Sequence, residues 1–162
     1  AARTNWLPVQ GRIVIEGVEI RPLKRHGDPR GWLAEIWRED ETAYRPVMAY
    51  LSWTRPGVTR GPHEHREQSD GFAFLWGSFE VNLWDARPDS PTHGEAMAFA
   101  AGEEAPAWVV IPPGVVHSYT CTGPAAGGLV INLPDRLYTG RGRREPVDEI
   151  RHEDASETPY RA

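Results

Sequence analysis

Through most of the chain, apolar and polar residues alternate with a period of two, the signature of a strand buried on one face. Phe72, Phe74 and Trp76 share one face of the segment Gly71 to Trp76. Phe79, Val81 and Leu83 share one face of Phe79 to Asp85, with Glu80 and Asn82 opposite. Gly77-Ser78 between the two runs predicts a two-residue hairpin. Similar patterns predict strands at Val18–Leu23, Trp32–Trp37, Val47–Thr54, Thr59–His65, Glu95–Ala100, Ala107–Ile111, His117–Cys121 and Gly128–Leu133. The 16 glycines and 15 prolines are spread along the chain and cut it into these short pieces. No stretch before residue 140 has a helical period. About ten short strands with turns between them predict an all-β sandwich or jelly roll. The barrel is expected over about 15–138 and a polar tail over 139–162, within a single domain spanning 1–162. In that tail only Val147 to Glu153 suggests one or two helical turns.

Composition narrows the function. A length of 162 residues suits one domain. The net charge of −5 argues against a nucleic-acid partner. No apolar run approaches the roughly 20 residues of a membrane span. Ala1 to Gln10 lacks the basic start and apolar stretch of a signal peptide. Cys121 is the only cysteine, which excludes an internal disulfide and makes the cytoplasm the expected compartment. Lys24 is the only lysine, so lysine chemistry would rest on it alone. Arginine carries the remaining positive charge, as planar forks suited to phosphate. Trp76, Trp84 and Trp108 read as packing residues rather than nucleobase platforms.

The residues that carry chemistry concentrate in two places. His63 and His65 are two apart, so on a strand both point to one side. Asp70 opens the next strand. Ile111-Pro-Pro-Gly-Val-Val-His117 brings a third imidazole after a tight turn, with His117, Tyr119 and Cys121 on one face. Gly57, His63, His65, Asp70 and Gly77 have the spacing of the first cupin motif, and Pro112, Gly114 and His117 that of the core of the second. Asp70 stands where cupins usually have glutamate, and Cys121 where the second motif ends in asparagine. The resemblance implies a cupin, or double-stranded β-helix, jelly roll. It also implies His63, His65, Asp70 and His117 as ligands of a divalent iron, manganese, nickel or zinc ion, if a metal is bound.

A narrower resemblance covers residues from about 15 to 140. Asp28-Pro-Arg30-Gly31, Gly57-Val-Thr-Arg60-Gly61-Pro-His63, Asp85-Ala-Arg87 with Ser90-Pro-Thr-His-Gly94, and Ile111-Pro-Pro-Gly-Val-Val-His117 follow one another in order. The series resembles the dTDP-4-dehydrorhamnose 3,5-epimerase family. That resemblance implies a nucleotide-diphosphate 4-keto-6-deoxysugar substrate, no cofactor, and proton abstraction beside the ketone. His63 stands at the position of the base, and histidine suits the task because its pKa lies near working pH. His117 and a tyrosine (Tyr138 or Tyr119) would support the enolate. Arg30 and Arg60 would hold the diphosphate. Asp28, Arg87 and Asn132 join them as candidate contacts, and Arg30 would reach a partner subunit's site in a homodimer. Asp28-x-Arg30 and Asp85-x-Arg87 also read as structural turns.

The chain departs from the family at three points. Asp70 replaces a lysine, Asn132 stands where the acid tyrosine is expected, and the aspartate that orients the base has no counterpart in the tail. Asp70 or Asp85 could orient His63 instead. Three readings follow: a sugar-nucleotide epimerase or isomerase, a metal-dependent cupin oxygenase or isomerase, and a non-catalytic sugar-nucleotide binding module.

Overall fold

The structure is a computed structural model describing residues 14–123 and 126–161. The segment expected to lack a signal peptide lies outside them. Two five-stranded antiparallel sheets face each other. The first runs β1 (Glu19–Pro22), β9 (Ala107–Ile111), β6 (Asp70–Trp76), β11 (Gly128–Asn132), β4 (Tyr50–Thr54). The second runs β12 (Ile150–Arg151), β5 (Thr59–Glu64), β10 (Val115–Cys121), β7 (Ser78–Asp85), β8 (Ala96–Gly102). β2 (His26–Asp28) and β3 (Gly31–Leu33) form a separate two-stranded ribbon. The expected all-β jelly roll is present.

The inner faces of the sheets meet in a core of Phe72, Phe74, Phe79, Val81, Leu83, Val109, Tyr119 and Val130. Burial alternates strictly along β7, as its sequence pattern requires. β6 and β9 are buried on both faces. Ala73, Leu75 and Trp108 form a second cluster on the outer side, covered by Ile36, Trp37 and Tyr44. Tyr44 fixes this cover through its one hydroxyl proton, shared between the carbonyls of Leu133 (2.6 Å) and Ser69 (3.0 Å). The strand expected at Trp32–Trp37 therefore ends at Leu33, and the residues after it become that cover.

Three further expectations are corrected. Gly77-Ser78 is not a hairpin: β6 pairs with β9 and β11, whereas β7 pairs with β8 and β10. Gly77 is instead the corner where the chain changes sheet. Its φ is +84°, and a Cβ there would lie 2.6 Å from Gly128 Cα, so glycine is required on both counts. Val147 to Glu153 contains no helical turn. Ile150 and Arg151 pair as β12 with Glu64 and His63, which ties the tail to the second sheet. Trp76 is 53% exposed rather than packed, whereas Trp108 is buried and Trp84 packs on Tyr160.

Candidate active site

A cavity of about 1170 Å³ opens between the sheets. Arg60, His63 and His65 line it from β5 and the residue after it, Tyr119 from β10, and Tyr50 and Ser52 from β4. β4 can supply a wall because Tyr50, Ser52 and Thr54 alternate with outward-facing Leu51 and Trp53. The C-terminal segment closes another side, with Arg141, Arg143, Asp148 and Glu149 on the wall.

His63, His65, Asp70 and His117 converge at the base, each offering one donor atom within 4.8 Å of the others. The β5–β10 register sets His63 directly opposite His117, and their rings lie 4.5 Å apart, edge to face. Asp70 is 1% exposed at the start of β6. Its Oδ1 accepts from Gln68 Nε2 and Asn132 Nδ2, both at 2.9 Å. Its Oδ2 faces His65 Nε2 at 3.1 Å and His117 Nε2 at 3.3 Å. The outer nitrogens of both imidazoles meet backbone carbonyls: Nδ1 of His65 that of Asp148, and Nδ1 of His117 that of Val115 at 3.1 Å. His117 Nε2 is close to Asp70 but poorly aligned, and it makes no hydrogen bond.

Electrostatics separate the imidazoles. Burial, reinforced by the neighbouring His117 and His65, pushes His63 down to about 2, so it is neutral at physiological pH. Burial also disfavours charge on His65, but the Asp70 carboxylate outweighs this and raises it to about 9. Burial opposes the charge of Asp70, and the adjacent His117 and His65 hold it below the usual carboxylate range all the same.

The other expected residues divide into three sets. Arg60, Tyr119 and Tyr138 line the cavity. His117 and Asn132 lie behind its wall and are buried. Asp85 and Arg87 do not reach it. Arg87 bonds Asp85 at 2.8 Å, and Ser90 and Thr92 hydroxyls each donate to Asp85 at 2.6 Å. This is a structural corner, and Asp85 cannot orient His63 from it. Asp28 and Arg30 pair with each other on the exposed β2–β3 ribbon, away from the cavity of their own chain.

Three residues on the wall were not expected. Asn132 pairs across the sheet with Tyr50 and donates Nδ2 to its hydroxyl at 2.8 Å. The alternation of Val47–Thr54 contained the signal for Tyr50, since it shares a face with Ser52. Burial and the Asp70 charge push the Tyr50 hydroxyl up to about 12. Glu149 Oε1 stands 3.6 Å from His63 Nδ1, and Asp148 accepts from the amides of Arg66, Glu67 and Gln68 at 2.9–3.0 Å. No local pattern marks the latter two, because they reach the site through the pairing of β12.

An all-β jelly roll with a histidine-lined pocket between its sheets defines a cupin-type protein. The family described as dTDP-4-dehydrorhamnose 3,5-epimerase matches residues 12–137. The probable low-salt glycan biosynthesis epimerase Agl13 of Haloferax volcanii is 40% identical over 127 residues, 76% of this chain and 81% of that one. This chain therefore belongs to the dTDP-4-dehydrorhamnose 3,5-epimerase family. Two solved structures share its fold. A dTDP sugar isomerase from Desulfovibrio desulfuricans G20 has a TM-score of 0.79 at 24% identity, covering 91% of this chain and 92% of that one. The dTDP-6-deoxy-D-glucose-3,5-epimerase of Legionella pneumophila, in complex with dTDP-4-keto-L-rhamnose, has a TM-score of 0.71 at 23% identity, covering 91% and 76%.

The three amides on Asp148 hold its pKa below the ordinary value against the effect of burial. Its stabilising contribution is complete above the unfolded-state pKa of about 3.9 and is lost as pH falls through the lower folded value. Asp148→Ala should cost about 1–3 kcal/mol at pH 7 and flatten the decline in stability between pH 5 and 3. Denaturant midpoints of both proteins across that range measure this. Equal pH slopes would show that Asp148 does not anchor the tail.

Proposed function

We propose that this chain is an epimerase acting on a nucleotide-diphosphate 4-keto-6-deoxysugar in glycan or polysaccharide biosynthesis. The observation that carries this reading is the His63 imidazole on the wall of the cavity, with the Glu149 carboxylate 3.6 Å from its Nδ1, in a chain of this family. Hydrogens on the carbons flanking the ketone are acidic because the enolate delocalises onto oxygen. His63 removes one of them, and Glu149 steadies the resulting imidazolium. Such a proton transfer contributes about 10²–10⁴-fold. Reprotonation from the other face inverts the centre. Asn132 cannot supply that proton, but the hydroxyl it holds, Tyr50, stands on the sheet facing His63 and is protonated at neutral pH. Tyr138 lines the same cavity. The cavity volume exceeds the usual ~300–1,000 Å³ of small-molecule sites, which suits a sugar carrying a nucleotide.

With dTDP-4-keto-6-deoxyglucose in heavy water, deuterium should enter at C3 or C5. His63→Ala should slow this by about 10²–10⁴-fold, and Tyr50→Phe should slow inversion more than exchange. Nucleotide-sugar binding with no isotope exchange would reject the epimerase and favour a non-catalytic binding module.

One observation favours a second reading. His117 Nε2 is buried without a hydrogen-bond partner and faces Asp70 Oδ2. With the Nδ1 proton donated to Val115, the Nε2 lone pair lies buried beside a carboxylate, an arrangement that a proton or a cation between them would relieve. Tying the outer nitrogens of histidines to backbone carbonyls is also how metal ligands are oriented. Separations of 3.1 and 3.3 Å suit donor atoms sharing an ion at about 2.1 Å. These side chains thus fit a divalent transition metal held by His65, Asp70 and His117, with His63 as the fourth ligand. When bound, it would polarise a substrate carbonyl. The two readings compete for His63. Elemental analysis of unchelated protein decides: near-stoichiometric metal, lost in His65→Ala, supports the metal site, and protein free of transition metal rejects it.

We also propose that the protein works as a homodimer. Leu129 pairs with Trp53 on one side and Trp76 on the other, so three large apolar residues form a row across β4, β11 and β6. Leu51, Trp53 and Trp76 are 65%, 48% and 53% exposed, and β4 is a sheet edge. Exposed apolar patches and unpaired edges mark contact surfaces. Sedimentation velocity should give twice the 18.2 kDa chain mass, and Trp53→Asp should give monomers. A monomeric parent protein would sink this proposal.

A further inference from the structure

A nucleotide-diphosphate ligand brings two phosphates, and most guanidiniums around the cavity are already engaged. Arg30 lies outside it, paired with Asp28 on the exposed ribbon. Arg60 lines the cavity but donates Nε to Thr54 Oγ1 and Nη2 to the Trp53 carbonyl, both at 2.9 Å. Arg136 is held by Glu67, and Arg151 by Glu149. Arg141 and Arg143 differ. Both line the cavity, and neither makes a side-chain hydrogen bond or ion pair among the described residues.

Their loop has a defined shape. Thr139, Gly140, Gly142 and Arg143 all have left-handed backbone, with φ of 54°, 69°, 70° and 59°. The amide of Glu145 closes the loop on the Thr139 carbonyl at 2.8 Å, and that of Arg143 bonds the Gly140 carbonyl at 3.2 Å. Non-glycine residues persist at positive φ only where their surroundings enforce it. The loop leads directly into Asp148, Glu149 and β12, whose Arg151 pairs with His63. A ligand gripped at this loop is therefore joined through β12 to the strand that carries the imidazole. Glu145 is the one carboxylate in the loop, folded over Gly140, and two guanidiniums outweigh its charge.

We propose that Arg141 and Arg143 form the diphosphate subsite of the cavity, so that the C-terminal segment grips the nucleotide part of the substrate within its own chain. Guanidinium forks match phosphate oxygens in pairs, and charge-assisted bonds of this kind are about twice as strong as neutral ones. The proposal rests on the nucleotide-sugar reading above and adds to it the means of recognition.

The test is titration calorimetry of the full chain with dTDP and with inorganic pyrophosphate. Arg141→Gln/Arg143→Gln should weaken dTDP binding by roughly tenfold or more, remove most of its salt dependence, and abolish pyrophosphate binding. Each single variant should show an intermediate loss. Arg38→Gln, on an exposed loop where Arg38 pairs with Asp40, should bind like the parent protein. The thermal midpoint of the double variant should match the parent, since neither side chain has a partner to lose. Unchanged dTDP affinity in the double variant, with the parent binding well, overturns the subsite and leaves the epimerase reading intact. A parent protein that neither binds dTDP nor catalyses isotope exchange fails the epimerase reading itself, and the subsite falls with it.

Discussion

The site is organised around one carboxylate that has no access to water. Asp70 is 1% exposed, and an isolated charge there would carry a prohibitive desolvation penalty. It is tolerated because polar groups converge on it from several strands. Gln68 and Asn132 hold one oxygen, from the turn before β6 and from β11. His65 and His117, from the second sheet, face the other. The carboxylate thus ties the two sheets together at the base of the cavity and sets where the imidazoles stand. Through Asn132 it also sets the hydroxyl of Tyr50.

The C-terminal segment completes what the barrel leaves open. Its hold is polar: the Asp148 carboxylate satisfies three consecutive amides, its carbonyl meets His65, and β12 adds backbone bonds to the histidine strand. Tyr160 packs on Trp84 and His152 further along, and His152 pairs with Glu64 at 2.9 Å. Few apolar contacts support this wall, so it belongs to the less stable part of the structure. It also carries the only cavity guanidiniums without partners among the described residues. A wall of that kind can respond to a ligand that the rigid sheets cannot.

Much of the barrel was legible because burial on one face imposes a period of two. Ala107–Ile111 has the expected bounds, and most other core strands shift by only one to three residues. The histidine cluster was legible for the same reason: His63 and His65 share a face through local geometry alone. Asp70 and His117 joined it through the spacing of the cupin motifs, whereas features set by long-range pairing outside those motifs were not legible. Gly77 looked like a hairpin because a corner between sheets and a hairpin need the same glycine. Asp85-x-Arg87 is a conspicuous motif, yet its charges are spent on holding a corner. Glu149 and Tyr50 could not be matched to His63 from sequence, since β12 and β4 reach it from 86 and 13 residues away. The tail read as polar loop because an element anchored by hydrogen bonds leaves no hydrophobic period.

Two departures from the family pattern, separate in sequence, are one unit in space. An aspartate stands where a lysine was expected, and 62 residues later an asparagine stands where a tyrosine was expected. The two side chains are complementary, since the amide nitrogen of Asn132 is a donor and the carboxylate of Asp70 an acceptor. Together they make a 2.9 Å hydrogen bond. The second amide contact then goes to Tyr50, which restores a phenol to the cavity from a neighbouring strand. The base of the cavity thus carries a buried carboxylate and, one strand across, a phenol held by the same amide.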